Sequence, residues 1–169
     1  PDAYPGSPLI AASRLRPDDR MHLAELHPQE HAALDYAMGP SGATVHHRDG
    51  HQMALALTPP TPRRGLMLID PSFEVKADYD TLPRLIAQVH AKWNVGAIAL
   101  WYPILTGGAH GPMITALTAA DLPKVLWHEV RFPPLHPGKG MTGSGMFIVN
   151  APYGLRDEAE RIGRIFSRL

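Results

Sequence analysis

Two spacings of apolar residues alternate along this chain. Short, nearly continuous apolar runs predict buried strands, and longer stretches with an apolar residue roughly every three to four positions predict amphipathic helices. Strands are predicted over residues 20–26, 43–48, 66–69, 95–102, 124–132 and 146–150, and helices over residues 9–15, 28–38, 78–93, 111–120 and 155–169. Because strands and helices alternate, the sequence predicts an α/β fold with a mostly parallel sheet flanked by helices.

The run over residues 66–69 is wholly apolar, as expected of a strand buried on both faces. It is followed at once by Asp70, Pro71, Ser72 and Phe73. In open α/β sheets, ligands bind outside the carboxyl ends of the strands. This segment is therefore the first candidate site.

The order Asp-Pro-Ser-Phe resembles the Asp-Pro-Pro-Tyr signature of amino methyltransferases. The exocyclic amine of adenine is a poor nucleophile, because its lone pair is delocalised into the ring. The Asp70 carboxylate and the Pro71 carbonyl can each accept one amine N–H and so aim the lone pair at a methyl donor, while Phe73 stacks on the extruded base. The alternative is an ordinary strand end, in which Asp70 opens a turn and Phe73 packs beneath it.

Two more acidic residues follow predicted strands. Glu25 stands where a Rossmann strand commonly presents a carboxylate to ribose hydroxyls, and Asp49, before Gly50, could accept the adenine amine of a cofactor. The alternatives are an exposed glutamate at position 25 and a common Asp-Gly turn at residues 49–50. Because parallel strands end at one edge of a sheet, we expect Glu25, Asp49 and Asp70 along that edge.

Composition narrows the class of protein. The 169 residues suggest one domain over residues 1–169, and the absence of cysteine excludes disulfides and thiolate metal sites. The formal net charge is zero, so any face that binds nucleic acid must be a local patch. No apolar run approaches the roughly 18 residues of a membrane span, and no signal peptide is recognisable, so we expect a cytoplasmic protein without membrane contact.

Two motifs near the end of the chain are interpreted as non-catalytic. Residues 138–143 match G-x-G-x-x-G, but they precede a predicted strand instead of following one, which argues against a cofactor cradle. We interpret them as a flexible loop near the substrate, with Lys139 available to a phosphate. The sequence Asn150-Ala151-Pro152-Tyr153 also ends a strand, but asparagine cannot take a proton, so we interpret it as structural.

Ten histidines raise the question of a metal site. His46, His47 and His51 lie close in sequence, and His27 and His31 are four residues apart. Adjacent residues on a strand point to opposite faces, so His46 and His47 cannot easily bind one ion. His27 precedes a proline and is expected outside the helix. We therefore expect no metal.

Taken together, the chain resembles the RlmJ family, which methylates the exocyclic nitrogen of an adenine in bacterial 23S ribosomal RNA. The matching stretches run in order through residues 4–11, 25–28, 49–50, 63–71, 99–103 and 140–146. The resemblance implies a class I methyltransferase (Rossmann-like) fold, S-adenosylmethionine as methyl donor and 23S ribosomal RNA as partner. It implies that the cofactor contacts are Ser7, Glu25, Asp49, Gly50 and Asp70, and that the catalytic residues are Asp70, Pro71 and Phe73.

The chain departs from the family pattern in two ways. Ser72 and Phe73 replace the usual Pro-Tyr, which is expected to slow the reaction without changing it. The glycine-rich cofactor loop and first strand of the family lie upstream of Pro1, and members continue beyond Leu169, so we expect a fragment that lacks the first strand. The alternative function is a nucleic-acid binding or processing role in the use of external DNA, without methylation. The sequence predicts no oligomeric state.

Overall fold

The computed structural model describes residues 4–134, 136, 138 and 140–168. The chain divides into two compact units, Pro1–Leu57 and Thr58–Leu169, and the single domain expected from length stays a prediction. Among the described residues, no helix combines the length and the apolar character that crossing a bilayer requires. Lys139, which the sequence analysis makes available to a phosphate, lies outside the described residues.

The first unit contains a β-α-β crossover. Its elements are α1 (Ser7–Ala12), β1 (His22–Glu25), α2 (Pro28–Met38), a 3₁₀ helix (Gly39–Ser41), β2 (Thr44–His47) and α3 (Gly50–Leu57). Strands β1 and β2 pair in parallel, with Glu25 opposite His47. The bounds of α2 are those predicted. The helix begins at Pro28 because the missing N–H of proline costs no hydrogen bond at the first helical position. Helix α3 was not predicted, because Asp49-Gly50 suggested a turn.

The second unit is a four-stranded sheet with helices between its strands. Its elements are β3 (Leu66–Ile69), α4 (Asp78–Lys92), β4 (Ala97–Leu105), α5 (His110–Ala119), β5 (Leu126–Arg131), β6 (Met141–Val149) and α6 (Leu155–Phe166). The strand order is β3-β4-β6-β5. Strands β3, β4 and β5 run in one direction and β6 runs against them. The predicted α/β class, with most strands parallel, is confirmed in this sheet.

Strand β4 is the centre of the second unit. It pairs in parallel with β3 on one side and antiparallel with β6 on the other. Most of its side chains are buried on both faces, as the continuous apolar sequence predicts. The strand also extends through Pro103, three residues further than predicted, and a bulge follows at Ile104 and Leu105. On α4, the core-facing side chains are Leu82, Leu85, Ile86 and Val89.

The glycine-rich segment before residue 146 is strand instead of loop, so the interpretation of residues 141–143 as flexible is wrong. These residues belong to β6 and pair with β4. A Cβ atom at Gly143 would overlap the Val130 carbonyl, and one at Gly145 would overlap the Tyr102 ring. The glycines are therefore required by close packing within the sheet.

Tyr102 ties the central strand to the edge strand β5. Its hydroxyl donates to Glu129 Oε1 at 2.9 Å and accepts from Trp127 Nε1 at 2.7 Å, and Glu129 Oε2 accepts from Arg131 at 2.9 Å. Burial raises the pKa of Tyr102 well above its ordinary value, so the hydroxyl remains a donor. A fully buried hydroxyl with both bonds made adds directional interactions to the apolar core.

We predict that Gly145→Ala lowers the free energy of unfolding by about 1–3 kcal/mol, because the new methyl group meets a buried ring that its hydrogen bonds hold in place. Gly107→Ala is the matched control, since no atom lies within 4 Å of a Cβ built there, and it should change stability by less than about 0.5 kcal/mol. Urea unfolding followed by circular dichroism measures both. Equal stability of the two variants would contradict the packing role of Gly145.

Candidate active site

Asp70 follows the last paired residue of β3. This strand lies at an edge of its sheet and its residues alternate between exposed and half-buried, so the prediction that it is buried on both faces is wrong. Ile69 pairs with Leu100 of β4, so the central strand fixes the point at which Asp70 leaves the sheet. The residue as a whole is exposed, but partial burial of its carboxyl group raises its pKa above the ordinary aspartate value. The carboxylate is therefore a stronger proton acceptor than a fully solvated one.

The chain then makes a turn with an unusual backbone conformation at its centre. The N–H of Glu74 lies 3.5 Å from Ser72 Oγ, and the N–H of Asp78 donates to the Val75 carbonyl at 2.9 Å as α4 begins. Phe73 has a φ of 55°, in the left-handed region. A bulky side chain rarely adopts this region, which costs on the order of 1–3 kcal/mol unless the surroundings enforce it.

The Phe73 ring is held by two other aromatic rings. Only 7% of the residue is exposed, its ring centroid lies 4.9 Å from that of Tyr79, and Trp101 packs edge-on at 6.3 Å. In this arrangement the ring packs beneath the turn, as the alternative interpretation of the motif requires. Stacking of Phe73 on a target base stays a prediction, and it requires the ring to leave these contacts.

Tyr79, which the sequence analysis did not single out, completes this aromatic cluster. It lies in the first turn of α4 and is 8% exposed. Its hydroxyl oxygen has no hydrogen-bond partner among the described residues. Burial raises the pKa of Tyr79, and the neighbouring Asp78 carboxylate adds to the effect. No sequence pattern reveals an unpaired hydroxyl, because pairing depends on residues distant in the chain.

In the first unit, Glu25 and Asp49 lie at the carboxyl ends of β1 and β2. Glu25 Oε1 accepts the N–H of His27 at 2.8 Å, and the N–H of Arg48 donates to the Glu25 carbonyl at 3.2 Å. Asp49 Oδ1 accepts the N–H of Gln52 at 2.8 Å and so caps α3. The parallel pairing brings these two strand ends to one edge, as predicted. Asp70 belongs to the other unit, and its alignment with them stays a prediction.

Ser7 and Gly50 each stand at the start of a helix. Ser7 is exposed and is the first residue of α1, which begins two residues before its predicted start. Gly50 is the first residue of α3, and a Cβ built there would lie 3.9 Å from the Ala24 side chain, an ordinary contact. Sterics therefore do not demand glycine at this position, and the cofactor contacts implied for Ser7 and Gly50 stay predictions.

Three histidines of the first unit, His22, His46 and His47, pair with each other or with the backbone. His22 Nδ1 and His46 Nε2 lie 3.1 Å apart, and His47 Nε2 donates to the Leu26 carbonyl at 2.9 Å. His27 precedes α2, outside the helix as expected. Within the described ranges, no group of three or more His, Asp or Glu side chains is placed to hold a metal ion.

Asn150, which begins the second motif at a strand end, has a structural role. Its side-chain amide donates to the carbonyls of Asn94 and Gly96 at 3.0 and 2.9 Å, and its φ of 54° turns the chain after β6. These bonds tie the end of β6 to the turn that precedes β4. The structural interpretation of this residue is confirmed.

We predict that Asp49→Ala lowers the free energy of unfolding by about 0.5–2 kcal/mol, because the N–H of Gln52 loses its acceptor at the start of α3. Asp49→Asn keeps a side-chain oxygen there and should stay within about 0.5 kcal/mol of the parent chain. The two variants are compared by urea unfolding. An equal loss in both would show that the charge, and not the cap, stabilises this helix.

Comparison with known proteins identifies the family of this chain. The family model described as "Ribosomal RNA large subunit methyltransferase D, RlmJ" matches residues 1–168. Two curated relatives, each named "Ribosomal RNA large subunit methyltransferase J", come from Escherichia coli (strain K12) and Haemophilus influenzae (strain ATCC 51907 / DSM 11121 / KW20 / Rd). They are 39% and 38% identical over 160 residues, which is 94% of this chain and 57% of each relative. The chain thus spans little more than half the length of these relatives.

A solved structure agrees with the sequence comparison. The crystal structure of a Legionella pneumophila str. Philadelphia 1 protein matches with a TM-score of 0.88 and 34% identity. The match covers 96% of this chain and 60% of that protein. The chain therefore shares its fold with a solved protein of related sequence.

Proposed function

This chain belongs to the RlmJ family of ribosomal RNA large subunit methyltransferases, and on that premise we propose that it transfers a methyl group from S-adenosylmethionine to the exocyclic N6 of an adenine in 23S ribosomal RNA. The observation that carries the proposal is the position of Asp70 and Pro71 directly after β3, a strand whose parallel partner is the buried centre of its sheet. That position offers two acceptors side by side at the carboxyl end of the strand.

The chemistry follows from those two acceptors. One amine N–H of the flipped adenine donates to the Asp70 carboxylate and the other to the Pro71 carbonyl. These bonds draw the nitrogen lone pair out of conjugation and direct it at the methyl carbon. When bound, S-adenosylmethionine would supply a methyl group on a sulfonium, whose methyl C–S bond breaks as the N–C bond forms and releases a neutral thioether. As the N–C bond forms, the amine becomes cationic and loses a proton, and the raised pKa of Asp70 suits it to receive that proton.

The residues of the first unit fit the methyl donor by the chemistry of their side chains. The Glu25 carboxylate would accept from the ribose hydroxyls, and the Asp49 carboxylate would accept the adenine amine. Each is held by a backbone N–H at 2.8 Å, which fixes the orientation of the group before any ligand arrives. Ser7, Gly50 and Asp70 complete the proposed contacts.

We further propose that the protein acts in the cytoplasm. Because its formal net charge is zero, we also propose that it binds RNA through local basic patches. Arg63 is less suited to such a patch, because its guanidinium already contacts the Lys92 carbonyl and the Asn94 side chain, each at 3.4 Å. Arg14, Arg16 and Arg20 are exposed and lie close together in sequence.

The test uses the full-length natural protein, tritium-labelled S-adenosylmethionine and 23S ribosomal RNA from cells that lack the modification. We expect label in the RNA and N6-methyladenosine after digestion to nucleosides. A correctly folded protein that transfers no label would contradict the proposal. Saturable DNA binding without any heat from S-adenosylmethionine in calorimetry would support the non-methylating alternative instead.

We predict that Asp70→Asn lowers turnover by on the order of 10²- to 10⁴-fold, because it keeps the shape but removes the charge that accepts the proton. Affinity for RNA should change little, since phosphate contacts dominate it. Asp80→Asn is the matched control, because it makes the same chemical change at an exposed position in the first turn of α4. Single-turnover assays at saturating methyl donor measure both, and wild-type turnover of Asp70→Asn would refute the assignment.

A further inference from the structure

The Tyr79 hydroxyl is a buried donor without an acceptor. The side chain is more than nine-tenths buried, and among the described residues no atom accepts a hydrogen bond from it. Leaving such a group unpaired is unfavourable and calls for an explanation, and a ligand that accepts its hydrogen bond would provide one. Because burial and the Asp78 charge both raise the pKa of Tyr79, the group remains a donor at neutral pH.

The residue that packs on the Tyr79 ring is itself in an unfavourable conformation. The Phe73 ring packs on the Tyr79 ring at 4.9 Å, and its backbone has a φ of 55°. Phe73 also follows Asp70 and Pro71 by two residues, in the turn that would receive the base. Two unfavourable features, a left-handed backbone at a bulky residue and an unpaired donor, thus adjoin the proposed catalytic turn. Both would be relieved if Phe73 moved and an acceptor entered.

The hydrogen-bonding groups of adenine define the acceptor. Once the two amine N–H groups are paired with Asp70 and Pro71, the polar atoms left on the base are ring nitrogens, which only accept. Asp70 and Pro71 supply acceptors and no donor. A base captured there therefore needs a donor from the protein, and Tyr79 is the unpaired donor next to the turn.

We propose that Tyr79 is a positioning residue for the target adenine, and that its hydroxyl donates to a ring nitrogen of the base when Phe73 leaves its place over the Tyr79 ring. This rests on the proposed function and extends it to how the site selects its base. Guanine carries a hydrogen on its Watson–Crick ring nitrogen and a carbonyl in place of the amine. Guanine would therefore place a carbonyl opposite the two acceptors, Asp70 and Pro71. Its ring N–H would face the Tyr79 donor, so neither set of hydrogen bonds could form.

The test is Tyr79→Phe in the full-length natural protein, which removes the hydroxyl and keeps the ring against Phe73. We expect kcat/KM for 23S ribosomal RNA to fall about 3- to 10-fold, the effect of one lost neutral hydrogen bond. The melting temperature of the free protein should stay the same or rise by up to about 4 °C, because a buried donor without an acceptor has been removed. Affinity for S-adenosylmethionine, measured by calorimetry, should not change.

Tyr102→Phe is the matched control, because it makes the same substitution at a buried tyrosine whose hydroxyl bonds both Glu129 and Trp127. Its melting temperature should fall by at least about 2 °C. Unchanged kcat/KM in Tyr79→Phe would overturn the proposal, and so would a fall in melting temperature like that of the control. If the unsubstituted protein transfers no methyl group, the proposed function fails first, and the role of Tyr79 falls with it.

Discussion

The pairing of β4 along both its edges is the constraint on which the second unit depends. Parallel pairing with β3 fixes where that strand ends and hence where Asp70 emerges. Antiparallel pairing with β6 brings Gly145 opposite Tyr102, whose ring fills the space that a side chain would occupy. The same strand supplies Trp101, which packs against Phe73. One buried strand therefore sets both the core and the position of the turn that begins at Asp70.

The turn from Asp70 to Tyr79 carries features that oppose stability. Partial burial disfavours the charged form of Asp70, Phe73 has a left-handed backbone, and the Tyr79 hydroxyl has no hydrogen-bond partner among the described residues. Burial of the apolar side chains of β4 and α4 stabilises the unit enough to hold this segment in place. Proteins retain such local costs where a ligand relieves them. The three features have a common explanation if a base binds there.

The sequence predicted what local patterns determine. The strand Leu66–Ile69 and the helix Pro28–Met38 were predicted with their observed bounds, because an unbroken apolar run and a proline at the first helical position are local signals. Helix α3 was missed, because Asp49-Gly50 serves turns and helix caps alike. Residues 141–143 were misjudged, since only strand pairing shows why the glycines are there. Tyr79 became visible only through its tertiary neighbours.

The central claim is that the Asp70 carboxylate takes part in methyl transfer, and the pH dependence of the single-turnover rate tests it most directly. Since burial raises the pKa of Asp70, its carboxylate is lost on acidification at a higher pH than that of an ordinary aspartate. The account predicts a rate that is flat above this pKa and falls about tenfold per pH unit below it, with no such fall in Asp70→Asn. The same acidic fall in both proteins would contradict it.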